Sequence, residues 1–139
     1  MHALKLDIRH LKTAVHVLGQ EEGAKPFFRL PGSSGAIPSE FDRVWLQGFV
    51  SNLQAADFTL TDVSGGELMV NTKVLDAPQV QEGSLVTVMG PLKRTKKAGL
   101  YVTAHKILVL PAEGTEHQQA AWAREVAFLR SQMPHSATE

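Results

Sequence analysis

The stretch RVWLQGFVS, residues 43–51, carries the clearest indication of the fold in this sequence. Its apolar and aromatic residues are typical of a β-strand, yet Gly48 lies in its interior, where a glycine weakens a strand. Small barrels need a glycine or a bulge where a strand bends from one half of the barrel into the other. Gly48 therefore predicts the bent first strand of a small barrel.

Four more segments with strand character follow this first one. They are ADFTLTDV (56–63), ELMVNT (67–72), SLVTVMGPL (84–92) and LYVTAHKILVL (100–110). Valine, threonine and aromatic residues alternate with other residues in them, as half-buried strands require. Five short strands within 43–110 predict an all-β core, namely an OB-fold, which is a five-stranded Greek-key barrel. The helix that usually joins strands three and four of that fold is reduced here to the connection 74–83.

Residues 1–42 are predicted to pack on this barrel as a helix and a loop region. The apolar residues of segment 4–18 recur at spacings of four and three, which predicts one N-terminal helix over these residues. A shorter helix preceded by an extended Leu4–Leu6 segment is the alternative. KPFFRL (25–30) is compatible with a short strand, and the prolines, glycines and serines of 31–40 predict a loop.

Residues 111–133 are predicted to form a C-terminal helix, ended by Pro134, and 134–139 a disordered tail. Trp122, Val126, Leu129 and Met133 form an apolar stripe at spacings of four, three and four. Exposed, such a stripe would be an interaction site, and tryptophan dominates interface energetics. The alternative is that the helix only covers the barrel.

The composition argues against an enzyme. Neither a nucleotide-binding loop nor a nucleophile motif occurs in the 139 residues, cysteine is absent, and the six histidines are scattered without metal-ligand spacing. We therefore expect neither catalytic residues nor a metal site nor a cofactor. Lysine plus arginine and aspartate plus glutamate number 14 each, and no apolar run approaches the length of a membrane helix. The expectation is an intracellular soluble protein.

One cluster of positive charge stands out: Lys93, Arg94, Lys96 and Lys97, in KRTKKAG between the fourth and fifth predicted strands. In OB-folds this loop is among those that grip single strands, so a DNA contact or an import signal is one hypothesis. The other is a solvated hairpin that protects a sheet edge. Residues 43–110 hold seven basic against five acidic residues, which disfavours a strong DNA-binding module.

Several motifs together resemble one family. They are V-W-L-Q-G-x-V (44–50), D-x-S-G (62–65), V-x-V-M-G (86–90) with Gly83 just before it, A-x-K (104–106) and W-x-x-E-V-x-x-L (122–129). In this order and spacing they resemble RecQ-mediated genome instability protein 2, from about residue 42 to 133. The basic segment KRTKKAG departs from that family's pattern.

The resemblance implies a nuclear, non-catalytic OB-fold subunit without a cofactor. It implies pairing with the C-terminal OB domain of RecQ-mediated genome instability protein 1. It further implies a complex with topoisomerase III alpha and the Bloom-syndrome helicase that dissolves double Holliday junctions, and a docking place for a Fanconi anaemia helicase peptide. Nucleic-acid contact would be weak or indirect.

By the same resemblance, the partner contacts would be Trp122, Glu125, Val126 and Leu129. Met133 extends the stripe beyond the shared motif. The alternative function is a single-stranded DNA-binding OB subunit that resembles the middle subunit of replication protein A.

Overall fold

The computed structural model describes residues 2–18, 25–30, 40–75, 80–111 and 113–131. Within these ranges the chain forms nine strands and two helices. The strands are β1 (His2–Lys5), β2 (Val15–Val17), β3 (Phe27–Arg29), β4 (Glu40–Ser51), β5 (Asp57–Thr61), β6 (Glu67–Asn71), β7 (Leu85–Thr95), β8 (Gly99–Thr103) and β9 (Lys106–Val109), and the helices are α1 (Ile8–Leu11) and α2 (Thr115–Ser131). No helix among the described residues is both long and apolar enough to span a membrane.

Five of these strands close on themselves in the order β4-β5-β6-β8-β7-β4. The β6–β8 pair is parallel, and the other four pairs of this ring are antiparallel. A closed ring removes the exposed edges that an open sheet of this size would present. The predicted OB-fold, an all-β five-stranded barrel with a helix before it and a helix after it, is confirmed.

Gly48 lies where β4 changes partners. Residues 43–49 of β4 lie opposite β7, whereas 49–51 lie opposite β5. A Cβ atom at Gly48 would be 2.6 Å from the carbonyl oxygen of Thr61 in β5, and real Cβ atoms do not approach a backbone atom so closely. Glycine is required at this point because β5 crosses close to β4, which is a typical use of glycine within a strand.

The barrel core consists of the inward-facing residues, which alternate along each strand with residues that face outward. Val44 and Leu46 of β4 are fully buried, as are Phe58 and Leu60 of β5, in line with the two-residue period of a strand. Two residues of α1, Ile8 and Leu11, belong to the same cluster and are also fully buried. The barrel and the N-terminal helix therefore share one hydrophobic core.

The predicted N-terminal helix over 4–18 is wrong in its extent. The chain forms β1, one helical turn (α1) and β2, which is close to the alternative of a shorter helix after an extended segment. β1 pairs in parallel with β4, and Asp7 caps α1 by accepting a hydrogen bond from the backbone N–H of His10 (2.7 Å). The helical spacing was coincidental, because Val15 and Leu18 are 53% and 67% exposed.

The D-x-S-G segment holds α1 on the barrel. Asp62 Oδ1 accepts a hydrogen bond from the backbone N–H of Ser64 (3.0 Å), which is the expected turn-stabilising contact. Its second oxygen, Oδ2, accepts a buried hydrogen bond from the backbone N–H of Ile8 (2.7 Å). A Cβ atom at Gly66 would collide with the Ile8 side chain. The motif therefore serves both the β5–β6 turn and the packing of α1.

Other predicted boundaries need smaller corrections. The long fifth strand is interrupted at Ala104 and His105, so that β8 and β9 are separate, although both pair with β7. The interruption lies close to Gly90, where a Cβ atom would overlap the carbonyl oxygen of Thr103. α2 begins at Thr115, within the segment 111–133 predicted to contain the C-terminal helix, and the strand suggested within 25–30 is present as β3. The loop predicted at 31–40 lies, up to 39, outside the described residues, and so does the predicted tail 134–139.

Candidate partner-binding helix and basic hairpin

Part of the outer surface of the barrel is buried. Trp45 and Gln47 of β4 alternate with core residues and therefore point away from the core, as do Leu85 and Thr87 of β7. Three of the four, however, are less than 9% exposed. We call these four residues the covered face. Something other than solvent must lie over them.

The helix α2 is linked to Trp45 of this face through Lys5. The Lys5 ammonium group lies 5.2 Å from the ring centroid of Trp45 and 5.3 Å from that of Trp122. It also forms an ion pair with Glu125. Ammonium groups are attracted to the faces of indole rings at such distances. β1, β4 and α2 therefore meet at one lysine, and we call Lys5, Trp45, Trp122 and Glu125 the Lys5 seam.

Two of the predicted partner contacts are buried within this chain. The side chains of Trp122 and Val126 are 9% and 5% exposed, and neither belongs to the main core cluster. The Trp122 indole nitrogen Nε1 is buried, and no described residue accepts a hydrogen bond from it. α2 therefore covers part of the barrel, and its buried residues lie outside the main core cluster. The role of these residues in binding a partner remains a prediction.

The other three predicted contacts have different positions. The Glu125 side chain is 48% exposed in spite of its ion pair. Leu129 lies within α2, but its side chain is outside the described part of the structure, and so is the whole of Met133. The structure therefore joins Trp122 and Glu125 through Lys5, and the role of all five residues in binding a partner remains a prediction.

The side of α2 away from the barrel is open to solvent. It carries the exposed charged residues Glu116 and Arg124, several small residues, and one large apolar side chain, Phe128, which is 62% exposed. The small exposed residues are Ala120, Ala123 and Ala127. Phe128 could not be predicted from the stripe because it lies outside the stripe spacing. Lys5 could not be predicted because its role depends on the parallel β1–β4 pairing, which the predicted helix excluded.

The four clustered basic residues lie on the β7–β8 hairpin. Lys93 and Arg94 belong to β7, opposite Tyr101 and Leu100 of β8, so the turn is shorter than the predicted KRTKKAG. The turn itself spans 96–98, closed by a hydrogen bond from the Ala98 backbone N–H to Thr95 Oγ1 (2.9 Å). All four basic side chains are exposed. We call Lys93, Arg94, Lys96 and Lys97 the basic hairpin.

A catalytic or metal-binding arrangement would have to be built from clustered polar side chains. Among the described residues, no three histidine, aspartate or glutamate side chains are grouped so that they could hold a metal ion. The most buried carboxylate, Asp62, is occupied by hydrogen bonds that stabilise α1 and the β5–β6 turn. What the described surface offers is a helix docked outside the core and a basic hairpin.

A closed barrel with this strand order and a helix docked on its outer face defines an OB-fold protein with a C-terminal helix. The model of the family RecQ-mediated genome instability protein 2 matches residues 2–129. The chain therefore belongs to the RecQ-mediated genome instability protein 2 family, as its motifs indicated. It is accordingly an OB-fold subunit of genome maintenance.

Among the solved structures with the same fold are chains of two assemblies. A chain of a replication protein A heterotrimer bound to single-stranded DNA superimposes with a TM-score of 0.63 at 17% identity, covering 93% of this chain and 98% of that chain. A chain of the S. pombe Stn1-ten1 complex gives a TM-score of 0.54 at 14% identity, covering 66% and 73%. At such identities the likeness shows the fold alone. No curated protein matches the sequence significantly.

Proposed function

We propose that this chain is a nuclear, non-catalytic scaffold subunit. It binds the C-terminal OB domain of RecQ-mediated genome instability protein 1 through α2. In this way it stabilises the complex of topoisomerase III alpha and the Bloom-syndrome helicase, which dissolves double Holliday junctions. The Fanconi anaemia helicase peptide would dock mostly on the partner subunit. Membership of the family over residues 2–129, a range that includes most of α2, supports this proposal.

The observation that carries the proposal is the way α2 is attached. Its buried residues lie outside the main core cluster, so the barrel core is complete without them. A helix of 17 residues that leaves one side in solvent can receive a second helix. The exposed alanines of that side would allow a partner helix to approach closely, and Phe128 would fill a gap in it.

The five predicted contacts would then have two roles. Trp122 and Val126 would fix α2 on the covered face, with only their outer rims available to the partner. Leu129 and Met133 continue the stripe of Trp122 and Val126 and would contact the partner at the C-terminal end of α2, whereas Phe128 would contact it from the outer side of the helix. Glu125 would lie between these two contacts. Apolar burial stabilises by roughly 25 cal/mol per Å², so one buried phenylalanine contributes about 1.5–3 kcal/mol before association costs are subtracted.

Size-exclusion chromatography of the full chain with the partner domain tests the proposal. The wild-type chain is expected to co-elute with the domain, and Trp122→Ala and Phe128→Ala to weaken or abolish co-elution. Val63→Ala is the matched control, because Val63 is also exposed (56%) but lies at the β5–β6 turn. A circular-dichroism melt of each variant separates loss of the interface from loss of folding. A wild-type chain that elutes separately from the domain contradicts the proposal.

A further inference from the structure

One side of β9 has no partner strand among the described residues. β9 pairs with β7 on its other side only. The backbone N–H of Leu110 donates to the carbonyl oxygen of Leu85 (2.9 Å), and along an antiparallel ladder hydrogen-bonded pairs alternate with non-hydrogen-bonded pairs. In the β7–β9 register, Leu108 therefore belongs to a pair that is hydrogen-bonded to β7. The backbone N–H and C=O groups of Ile107 and Val109 point instead toward the unpaired side.

The side chains of β9 do little to prevent another strand from pairing there. Edge strands of natural proteins usually carry lysines, prolines or inward-pointing charges that keep other strands away. β9 contains no proline, and Lys106, at its first position, is its only charged residue. Leu108 and Val109 are 47% and 49% exposed, and Ile107 is partly exposed. We call residues 107–109 the β9 edge.

Leu108, at the centre of the β9 edge, lies on the outer surface of the barrel. It is directly opposite Thr87, which is directly opposite Gln47, and directly opposite residues share one face of a sheet. Gln47 and Thr87 are only 7% and 8% exposed, so the cover over this row ends between β7 and β9. A strand added beside β9 would extend the row and would cover Leu108.

We infer that the β9 edge pairs in antiparallel fashion with the same edge of a second copy of this chain, with the two-fold axis at Leu108. Ile107 then lies opposite Val109 of the second copy, and the backbone groups of these residues form about four hydrogen bonds between the copies. The two Leu108 residues form a non-hydrogen-bonded pair, in which opposite side chains are closest. A two-fold interface needs only one self-complementary surface, which this edge provides.

The distribution of charge favours a second copy as the occupant of this edge. In the two-fold register the two Lys106 residues are separated by four positions along the strands, or about 14 Å, so they do not repel each other at close range. The formal net charge of the chain is zero, so the copies have no net repulsion to overcome. A strand of another protein would need a matching register of its own, whereas a second copy has it by symmetry.

The interface would be small, and the dimer is therefore weak. Stable interfaces bury about 1,200–2,000 Å² in total, which is more than three residues from each copy can supply. We expect a dissociation constant between about 10 μM and 1 mM. The proposed partner contacts lie on α2 and these contacts lie on β9, so either set can fail while the other holds.

Sedimentation equilibrium of the full chain, at about 10 μM to 1 mM, tests the inference. Val109→Pro removes an N–H that points toward the unpaired side and spares the hydrogen bonds to β7, and edge strands tolerate such a proline. The dimer should weaken about 5- to 150-fold, because two of its backbone hydrogen bonds are lost. Val109→Thr, which keeps the N–H and the branched side chain, is the matched control and should stay within about 3-fold of wild type. Circular-dichroism melts show whether each variant is folded.

A cysteine at the two-fold axis tests the register. The chain has no cysteine, so a single introduced one can form a disulfide only between copies. Cα atoms of a non-hydrogen-bonded antiparallel pair are about 4.5 Å apart, which a disulfide can bridge. Lys106→Cys would place its two cysteines about 14 Å apart, beyond that range. In a glutathione buffer, Leu108→Cys should therefore cross-link at least about 10-fold faster than Lys106→Cys, as followed by non-reducing electrophoresis.

Three results would overturn the inference. The first is a wild-type chain that remains monomeric at about 1 mM, which would leave the edge to a strand of another protein. The second is a folded Val109→Pro variant that dimerises as tightly as wild type. The third is equal cross-linking of Leu108→Cys and Lys106→Cys, which would indicate random collision or another register.

Discussion

Replacing Gly48 by alanine adds one methyl group at the point where β4 passes from β7 to β5. The new Cβ atom would lie 2.6 Å from the Thr61 carbonyl oxygen and 3.0 Å from Leu60 Cγ. The Leu60 side chain can move, but the Thr61 carbonyl cannot shift without disturbing the β4–β5 pairing. Overpacking of this kind costs about 1–3 kcal/mol, and the smaller entropy of the unfolded alanine variant returns about 0.4–1 kcal/mol.

We therefore expect Gly48→Ala to lower the free energy of unfolding by about 1–2 kcal/mol, and Gly48→Val to lower it further. Urea denaturation followed by circular dichroism measures this change, with Ser51→Ala in the same strand as a control that should stay within about 0.5 kcal/mol. Below the melting transition, the folded variant should bind its partner normally, because Gly48 lies inside the barrel wall. A Gly48→Ala variant as stable as wild type would refute the close approach of β5 to β4.

Three further predictions concern stability. Asp62→Ala should lower the free energy of unfolding by about 1–3 kcal/mol, because the buried N–H of Ile8 loses its acceptor. Urea denaturation measures this change, and a loss below about 0.5 kcal/mol would contradict the prediction. Gly90→Ala should cost more than Gly48→Ala in the same assay, since its Cβ atom would overlap a backbone oxygen, and the reverse order would be inconsistent with the structure. A double-mutant cycle of Lys5→Ala and Glu125→Ala should give a salt-sensitive coupling of about 0.2–1 kcal/mol, whereas zero coupling at low salt would argue against the Lys5 seam.

The barrel could be predicted from the sequence because its signals are local. Each strand of the ring is rich in valine, threonine and other β-forming residues, and Gly48 stands out against the residues around it. The N-terminal helix was overpredicted for the opposite reason. β1 is a strand because β4 offers a parallel partner some 40 residues later, and no pattern within residues 2–5 contains that information. Long-range pairing overrode a helical spacing that the local sequence allowed.

The apolar face of α2 could be predicted from the sequence because helical periodicity is a local signal, like the strand patterns of the barrel. The stripe of α2 identified Trp122 and Val126 as apolar residues of one helical face, and the structure places both against the barrel. What periodicity could not predict is which surface that face meets, because Lys5 and Trp45 come from strands far away in the sequence. Likewise, the composition of the hairpin identified Lys93, but its pairing with Tyr101 became evident only from the strand register.

The proposed partner-binding role of α2 is tested most directly by hydrogen–deuterium exchange of the wild-type chain, with and without the C-terminal OB domain of RecQ-mediated genome instability protein 1. The measurement changes no residue, so folding defects cannot imitate loss of binding. We expect the backbone amides of Thr115–Ser131 to become more protected when the domain is added, while those of β5 and β6 exchange as before. Unchanged exchange in α2 at saturating domain, or protection confined to the barrel strands, would contradict it.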